Sequence, residues 1–283
     1  MKKIGFVIVN YNDYKMTKRL IENIKDYKCI DHIVVVDNNS TDSSFKDLQK
    51  FKDKKISIIK NSSRHFSAGL NAGAKYLIKK IGDANIIFSN SDIIIKDEKY
   101  IKLLSSTLKE DIVVVGPVIN EHGNLNRGWR MPSANSEILF NLPLISRYFK
   151  KKKLLYKEEH YKDDISIVDV VSGCFFMVDS IFLKSVDFFD ENTFLYYEEQ
   201  IFAKKVIENN KYEAINNKVE IIHDHSVSID KSIKRVNKQK ILKSSQRYFV
   251  KNYLKGNFIQ MALLYITDKF YLFILYIRCL IRR

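Results

Sequence analysis

The sequence predicts an α/β protein, with a mostly parallel central sheet flanked by helices and a basic, apolar helical appendage at the C-terminus. Three observations lead there. Apolar runs alternate with helical segments from Ile4 to Phe88. Each apolar run stops at a cluster of Asn, Asp and Ser. The charge, formally +15, gathers beyond residue 230, where 13 Lys and Arg stand against one acid. Two domains follow, residues 1–228 as the body and residues 229–283 as the appendage. With 46% hydrophobic residues, a body of that size can bury a sizeable core. Cys29, Cys174 and Cys279 are widely spaced and odd in number, which argues against a disulfide framework or a zinc site and fits a reducing compartment. Met1-Lys2-Lys3 runs into a short segment holding Asn10 and Asn12, too polar for a secretory apolar core, so the start of the chain is read as cytoplasmic.

Taken in order, residues 4–9 form a buried strand ending at Asn10-Tyr11-Asn12-Asp13. Asn12 or Asp13 caps a helix over residues 16–25. Residues 32–36 form a second strand, ending at Asp37-Asn38-Asn39-Ser40-Thr41-Asp42, with a helix to Phe51. Residues 56–59 form a third, ending at Asn61. Ser67-Ala68-Gly69-Leu70-Asn71-Ala72-Gly73 opens a helix to Ile81, its small residues serving close packing or leaving backbone N–H groups for an anion. Residues 86–88 form the fourth strand, stopping at Asn90-Ser91-Asp92. Short links between strand and helix imply parallel strands and right-handed crossovers. Beyond Asp92 the alternation breaks. Strands are expected at residues 113–119, 167–171 and 219–222, and a helix at residues 200–209.

In a parallel sheet all four polar clusters lie on one edge, where open α/β folds bind ligands. Any one of them reads equally as a turn or cap. Four together read as a site. Asn and Asp edges suit a nucleobase and ribose. The chain lacks both a Gly-x-Gly-x-x-Gly fingerprint and a Gly-Lys-Ser/Thr phosphate loop; a nucleotide could still bind if a metal held its phosphates, and Asp92 is placed for that. Trp129, between Arg127 and Arg130, is either a stacking platform for a sugar or base or a surface staple. Glu198-Glu199, at a helix start between aromatics, are either acids favoured by the helix dipole or a general base beside apolar rings. His223-Asp224-His225 ends the last strand, and either His could complete a metal site with Asp92.

These motifs, in this order, resemble the family 2 glycosyltransferases of GT-A (Rossmann-like) fold, and within them the rhamnosyltransferase-like branch of bacterial polysaccharide biosynthesis. The resemblance spans residues 3–228. It rests on Val9-Asn10-Tyr11-Asn12, Val36 to Asp42, Ala68 to Gly73, Asn90-Ser91-Asp92, Ser172-Gly173-Cys174, Phe189-Asp190-Glu191 with Tyr196-Tyr197-Glu198-Glu199, and His225-Ser226-Val227-Ser228. It implies an inverting, metal-dependent hexosyltransferase. Asp37 would bind the nucleobase, framed by Val9, Asn10, Tyr11 and Asn12. Asn39, Asn61, Gly69, Asn71, Asn90 and Ser91 would complete the nucleotide-sugar site. Asp92 and His225 would hold Mg²⁺ or Mn²⁺ on the diphosphate. Trp129, Gly173 and Cys174 would face the acceptor. Glu199 would be the base, with Glu198 beside it. Two positions depart from the family pattern. Asn90 stands for the first Asp of Asp-x-Asp, and Glu199 stands for the Asp of a Glu-Asp pair.

The implied donor is dTDP-rhamnose or a UDP-hexose, and the implied acceptor a lipid-linked glycan. The tail agrees with a lipid partner. Nucleic acid does not require its apolar runs, whereas an anionic membrane surface does. Asp268-Lys269 interrupts residues 258–281, so neither half has the roughly 20 apolar residues of a span. Interfacial helices are expected, peripheral on the inner face of a bacterial cell membrane. The alternative is a helix packed on the body or on a second subunit, which makes a homodimer a candidate. Two other functions fit an α/β sheet with a metal-bound Asp: a nucleotidyltransferase, and a non-catalytic sugar-nucleotide-binding protein.

Overall fold

In the computed structural model, which describes residues 2–143, 145–224 and 235–281, the first apolar run becomes β1 (Lys3–Asn10), buried from Ile4 onward. It lies beside β2 (His32–Asp37) and β4 (Ala84–Ser89), and β3 (Ile56–Lys60) flanks β2. All of these pairings are parallel. The connecting helices are α1 (Tyr14–Ile24), α2 (Ser44–Leu48) and α3 (Phe66–Ile81). The pleat sends alternate side chains of β1 into two cores. Phe6 and Ile8 meet Leu20, Ile21 and Ile24 of α1 on one face. Val7 and Val9 meet Leu70, Ala74 and Leu77 of α3 on the other. Both faces are therefore covered, which is why these strands read as unbroken apolar runs.

The small residues of α3 serve close packing. A Cβ on Gly73 would stand 2.3 Å from Val7 Cγ1, and one on Gly5 would stand 2.3 Å from Leu77 Cδ1. Helix and strand can approach this closely only because both positions lack a side chain.

The second half departs from the sequence expectation. The alternation breaks after Asp92 as expected, with β4 followed directly by β5, but a helix that the sequence did not signal comes next. A two-residue β5 (Ile93–Ile94) leads into α4 (Glu98–Thr107), whose first turn Asp97 caps by accepting from the Lys99 N–H at 2.8 Å. Its apolar stripe is short, essentially Ile101 and Leu104, and so carries little periodic signal. Next come β6 (Ile112–Glu121), β7 (Asn124–Asn126), α5 (Ala134–Phe140), α6 (Ser146–Lys153) and β8 (Ile165–Val168). β9 (Phe175–Asp179), α7 (Ser180–Ser185), α8 (Glu198–Glu208) and β10 (Tyr212–His223) follow. The sheet runs β3-β2-β1-β4-β9-β6-β10-β5, with β7 added to β6 and β8 to β10. β9 is antiparallel to both β4 and β6. The strand expected over residues 167–171 ends instead at Val168, with Val170 in an isolated bridge to Trp129, and β9 follows only after the turn at residues 172–174. The helix expected from Gln200 begins at Glu198.

The tail folds as α9 (Arg235–Asn252) and α10 (Phe258–Ile281). The boundary expected at residue 228 and the His225 to Ser228 motif lie outside the described residues. α9 packs on the body through buried Phe249 and Val250. α10 runs unbroken through Asp268-Lys269, where a break was expected. Asp268 is fully buried. It accepts from Asn141 Nδ2 at 2.7 Å and pairs with Arg247, and Lys243 lies 3.9 Å away. A charge neutralised inside the fold does not interrupt a helix. Phe258–Arg278 is long and apolar enough to cross a membrane, by length and composition.

The tight α3–β1 contact yields a test. Gly73→Ala should cost about 1–3 kcal/mol through overpacking, read as a fall of several degrees in the unfolding temperature. Adding Val7→Ala should recover part of that loss; no recovery would mean that the strain lies elsewhere.

Candidate active site

The C-terminal ends of β1, β2, β4 and the turn before β9 surround one cleft of about 290 Å³. Val9, Tyr11, Asp13, Asn38, Asn90, Ser91 and Asp92 line it from the strand ends, and Ser172, Gly173, Cys174 and the start of α8, with Glu198 and Glu199, line it from the second half of the chain. β9 creates this juxtaposition. Its register sets Phe175 opposite Ser89, and the Asn90 N–H donates to the Cys174 carbonyl at 2.9 Å.

Two of the polar clusters are largely consumed by their own loops. Asn10 donates to Asp37 at 3.1 Å and to Ser40 at 3.2 Å. The other Asp37 oxygen accepts the Ser40 N–H. Asn12 bonds Thr41 in both directions. Asn12 and Asn39 adopt left-handed backbone, with φ of 52° and 62°, which Asn tolerates. Asn10 and Asp37 are fully buried. Asn61 donates to Asn38 at 2.7 Å. The turn chemistry is therefore real, and it shapes the rim that Val9, Tyr11 and Asn38 present.

Gly69 and Asn71 are buried behind the cleft rather than on its wall. A Cβ on Gly69 would press on Asn38 Oδ1 at 2.9 Å. Asn71 donates to the Phe189 carbonyl and to Glu191 Oε1, and accepts the Phe189 N–H. It ties α3 to the loop that leads to α8. Trp129 bonds through its backbone to Val170 and is not among the residues lining the cleft. Asp13 stands at the N-cap of α1 but makes no capping bond. It accepts instead from Ser91 at 3.3 Å. Sequence reasoning missed Arg64, Phe66, Phe194, Leu195 and Tyr196, which also line the cleft. Arg64, over the Tyr11 ring at 5.9 Å, brings a cation to the cleft that holds Asp92. A single Arg in a Ser-rich loop left no pattern to read.

Asp92 is nearly buried, and its Oδ1 lies 3.2 Å from His223 Nε2. The other ring nitrogen of His223 bonds Glu121 at 2.9 Å. Burial opposes a charge on this imidazole, but Asp92 and Cys174 beside it push it up to about 11. His223 is thus the described histidine at Asp92, while His225 lies outside the described residues. As it stands this contact is an ion pair; a divalent metal on Asp92 would have to displace the Nε2 proton, after which Asp92 and His223, spaced like adjacent ligands of an octahedral ion at about 3 Å, could take two of its positions. Among the described residues, no group of three or more His, Cys, Asp or Glu is arranged to hold one. The remaining positions would fall to ligand oxygens and water.

In the same cleft, burial pushes the Glu198 carboxyl up to about 8, helped by the charge of Glu199, and the Glu199 carboxyl up to about 7. Glu198 Oε2 is buried with no hydrogen-bond partner. A Cβ on Gly173 would come within 3.4 Å of Glu199 Oε2, so the bare glycine leaves room in front of that carboxylate. Beneath the pair lies Glu213, which accepts the Val171 N–H at 2.7 Å and whose carboxyl burial pushes well above its usual range. A carboxyl titrating near neutrality in a cleft is equipped for proton transfer.

Known proteins share this frame. The low-salt glycan biosynthesis hexosyltransferase Agl10 of Haloferax volcanii is 23% identical over 227 residues, 79% of this chain and 68% of that protein. The crystal structure of GalNAc-T7 with UDP, GalNAc and Mn²⁺ is similar with a TM-score of 0.63 at 13% identity, over 95% of this chain. The chain spans only 55% of GalNAc-T7. The mannosyltransferase PcManGT from Pyrobaculum calidifontis, in complex with GDP-Man and Mn²⁺, gives 0.61 at 10% identity, over 96% of this chain and 72% of that one. TarS of S. aureus with UDP-GlcNAc gives 0.57 at 14% identity, over 94% and 79%. The family model for glycosyl transferase family 2 matches residues 6–185, more than half of the sequence and all of the sheet from β1 to β9, and the chain belongs to that family.

Proposed function

We propose that the protein is an inverting hexosyltransferase that moves a sugar from a nucleoside diphosphate to a hydroxyl of a lipid-linked glycan at a membrane surface. One observation carries this reading. Asp92, Arg64 and a carboxylate titrating near neutrality, Glu199, line a single cleft. The first two suit a diphosphate and the third suits a nucleophile. The nucleoside lies along the ends of β1 and β2, against Val9, Tyr11 and Asn38. Asp92 and His223 would hold Mg²⁺ or Mn²⁺, which when bound supplies positive charge beside the diphosphate. Arg64 adds its own charge as the diphosphate departs. Glu199 takes the proton from the acceptor hydroxyl. In this reading attack comes from the face opposite the leaving group, which inverts the anomeric carbon. Neutral Glu198 beside it keeps a second negative charge away from the incoming hydroxyl. The motif resemblance favours dTDP-rhamnose as donor, and a UDP-hexose is the alternative.

The membrane component rests on α10. Phe258, Ile259, Ile266 and Phe273 are all more than half exposed on this helix. Lys150 to Lys153 lie on α6, which packs against the same α5 that α10 meets. An exposed apolar face bordered by lysines suits the cytoplasmic face of an anionic bilayer.

Five measurements test this. Glu199→Gln should lower kcat by about 10²-fold or more while donor affinity stays intact, and unchanged turnover would remove Glu199 as base. In the intact enzyme kcat should rise with pH through about 7 as Glu199 ionises. Stability should fall as pH rises from about 4.5, where the unfolded carboxyl ionises, to about 7, because a carboxyl whose pKa is raised by folding binds its proton more tightly in the folded state. Glu199→Gln should reduce that loss. Arg64→Met should weaken donor binding by about tenfold, as expected for a charge-assisted contact, in a calorimetric titration with the nucleotide sugar; equal affinity would exclude the contact. The full chain should float with vesicles containing anionic lipid, and Ile266→Glu with Phe273→Glu should stay at the bottom of the gradient. Flotation unaffected by the two substitutions would exclude α10 as the membrane contact.

A further inference from the structure

Residues 190–197 carry the chain into α8 and so set where Glu198 and Glu199 start. Their backbone is unusual. Tyr196 and Tyr197 are consecutive and both left-handed, with φ of 72° and 70°, and Tyr197 is the N-cap of α8. Non-glycine residues hold such a conformation only where the surroundings impose it. Here α9 imposes it. Ser245 Oγ donates to the Leu195 carbonyl at 2.8 Å. Tyr197 donates to Glu137 Oε2 at 2.7 Å, and Gln246 Nε2 donates to the same oxygen at 2.6 Å. Tyr197, Glu137 and Gln246 are all buried, and the Tyr197 ring packs on Phe249 of α9 at 5.4 Å. At the other end of the loop Tyr248 and Tyr253 both donate to Asp190 Oδ2, at 2.8 Å and 2.5 Å. Although burial opposes ionisation, those two bonds and the Asn192 N–H hold the Asp190 carboxyl below its usual range.

Neither α8 nor α9 lies within the residues matched to the family. We infer that α9, with Tyr253 just beyond its C-terminus, is the positioning element of the catalytic carboxylates: Gln246 acting through Glu137 and Tyr197, and Tyr248 with Tyr253 acting through Asp190, fix the left-handed turn that aims Glu199 into the cleft. None of these side chains lines the cleft, so they act through Glu199 rather than on the substrate. The inference rests on Glu199 being the base.

The test uses the full chain and two conservative variants. Tyr197→Phe keeps the ring on Phe249 and removes one hydroxyl. Tyr248→Phe with Tyr253→Phe frees Asp190. Each should lower kcat by about tenfold or more, since small misplacements of a reacting group carry losses up to about 10²-fold, while KM for the donor stays within about twofold. The rising limb of the pH–rate profile should move toward acid, because a loosened loop admits water to Glu199. A role in folding alone would lower the active fraction and leave that limb in place. Full kcat in both variants, or a loss with an unmoved limb, overturns the inference. Glu199→Gln separates it from the parent reading. If Glu199→Gln keeps full turnover, the base assignment itself falls. If Glu199→Gln is inactive while the tyrosine variants are fully active, only the positioning role falls.

Discussion

Because Phe175 pairs with Ser89 and Phe176 with Phe88, the turn holding Ser172, Gly173 and Cys174 emerges beside Asn90 and Asp92. The site depends on this antiparallel insertion. A purely parallel continuation of β3-β2-β1-β4 would leave the strand ends facing solvent, with Asp92 at a rim and nothing opposite. β9 turns that rim into a cleft. The chain then passes through α7 and the loop over residues 186–197, which Asn71 ties back to α3 through Phe189 and Glu191. It delivers Glu198 and Glu199 to that cleft. One residue of slip in the β4–β9 register would invert the faces of Phe175 and Phe176. Their rings are committed to opposite cores, Phe175 against Phe6 and Phe176 stacked on Phe88. The two cores therefore hold the register, and the register holds the cleft.

The sequence made the first half legible because parallel strands buried on both faces leave a strong one-dimensional signal: a solid apolar run and an abrupt polar stop. Asp92, Asn90, Tyr11 and Glu199 could be singled out on that basis, and all line the cleft. Legibility failed where function depends on pairing across distance. β9 is a five-residue apolar strand indistinguishable locally from a parallel one, so the Ser172–Cys174 turn could be recognised but not placed. The polar clusters also carried two meanings at once. Asn12 and Asn39 satisfy left-handed turns, and Asn71 fastens a loop, whereas Asn38, given no role at the sequence level, reaches the cleft wall. An Asn side chain has the same donors and acceptors in either task, and only its neighbours decide between them. His223 and His225 posed the same problem at the end of β10, and the 3.2 Å approach of His223 to Asp92 has no counterpart in spacing alone.

The cleft is costly to fold. Glu198, Glu199 and Glu213 are three carboxyls in one apolar neighbourhood, with Phe176, Phe189 and Phe202 around the void that they share. Burying them favours their neutral forms, and the left-handed Tyr196–Tyr197 pair adds about 1–3 kcal/mol of strain per residue. Neither feature helps the fold, and both are useful to a proton acceptor that must ionise near neutrality. Such local conflicts with the rest of the sequence are expected at functional sites. Stability is recovered elsewhere, in the continuous two-sided core of β1, β2 and β4.

The tail shows why net charge is a poor guide to what a helix touches. Thirteen Lys and Arg beyond residue 230 suggested a surface meeting anionic head groups. Lys243 and Arg247, however, are four residues apart on one face of α9, and both turn inward to Asp268 of α10. The opposite stripe of α9, Ser245 and Tyr248 with Phe249, turns toward the loop before α8. α9 is thus spent on both sides and offers a membrane little. In the proposed membrane contact the burden falls on α10, whose apolar residues are largely exposed, and on the lysines of α6. On that arrangement the attraction is chiefly hydrophobic, which salt does not screen, with the lysine charges contributing only within about a Debye length of the surface.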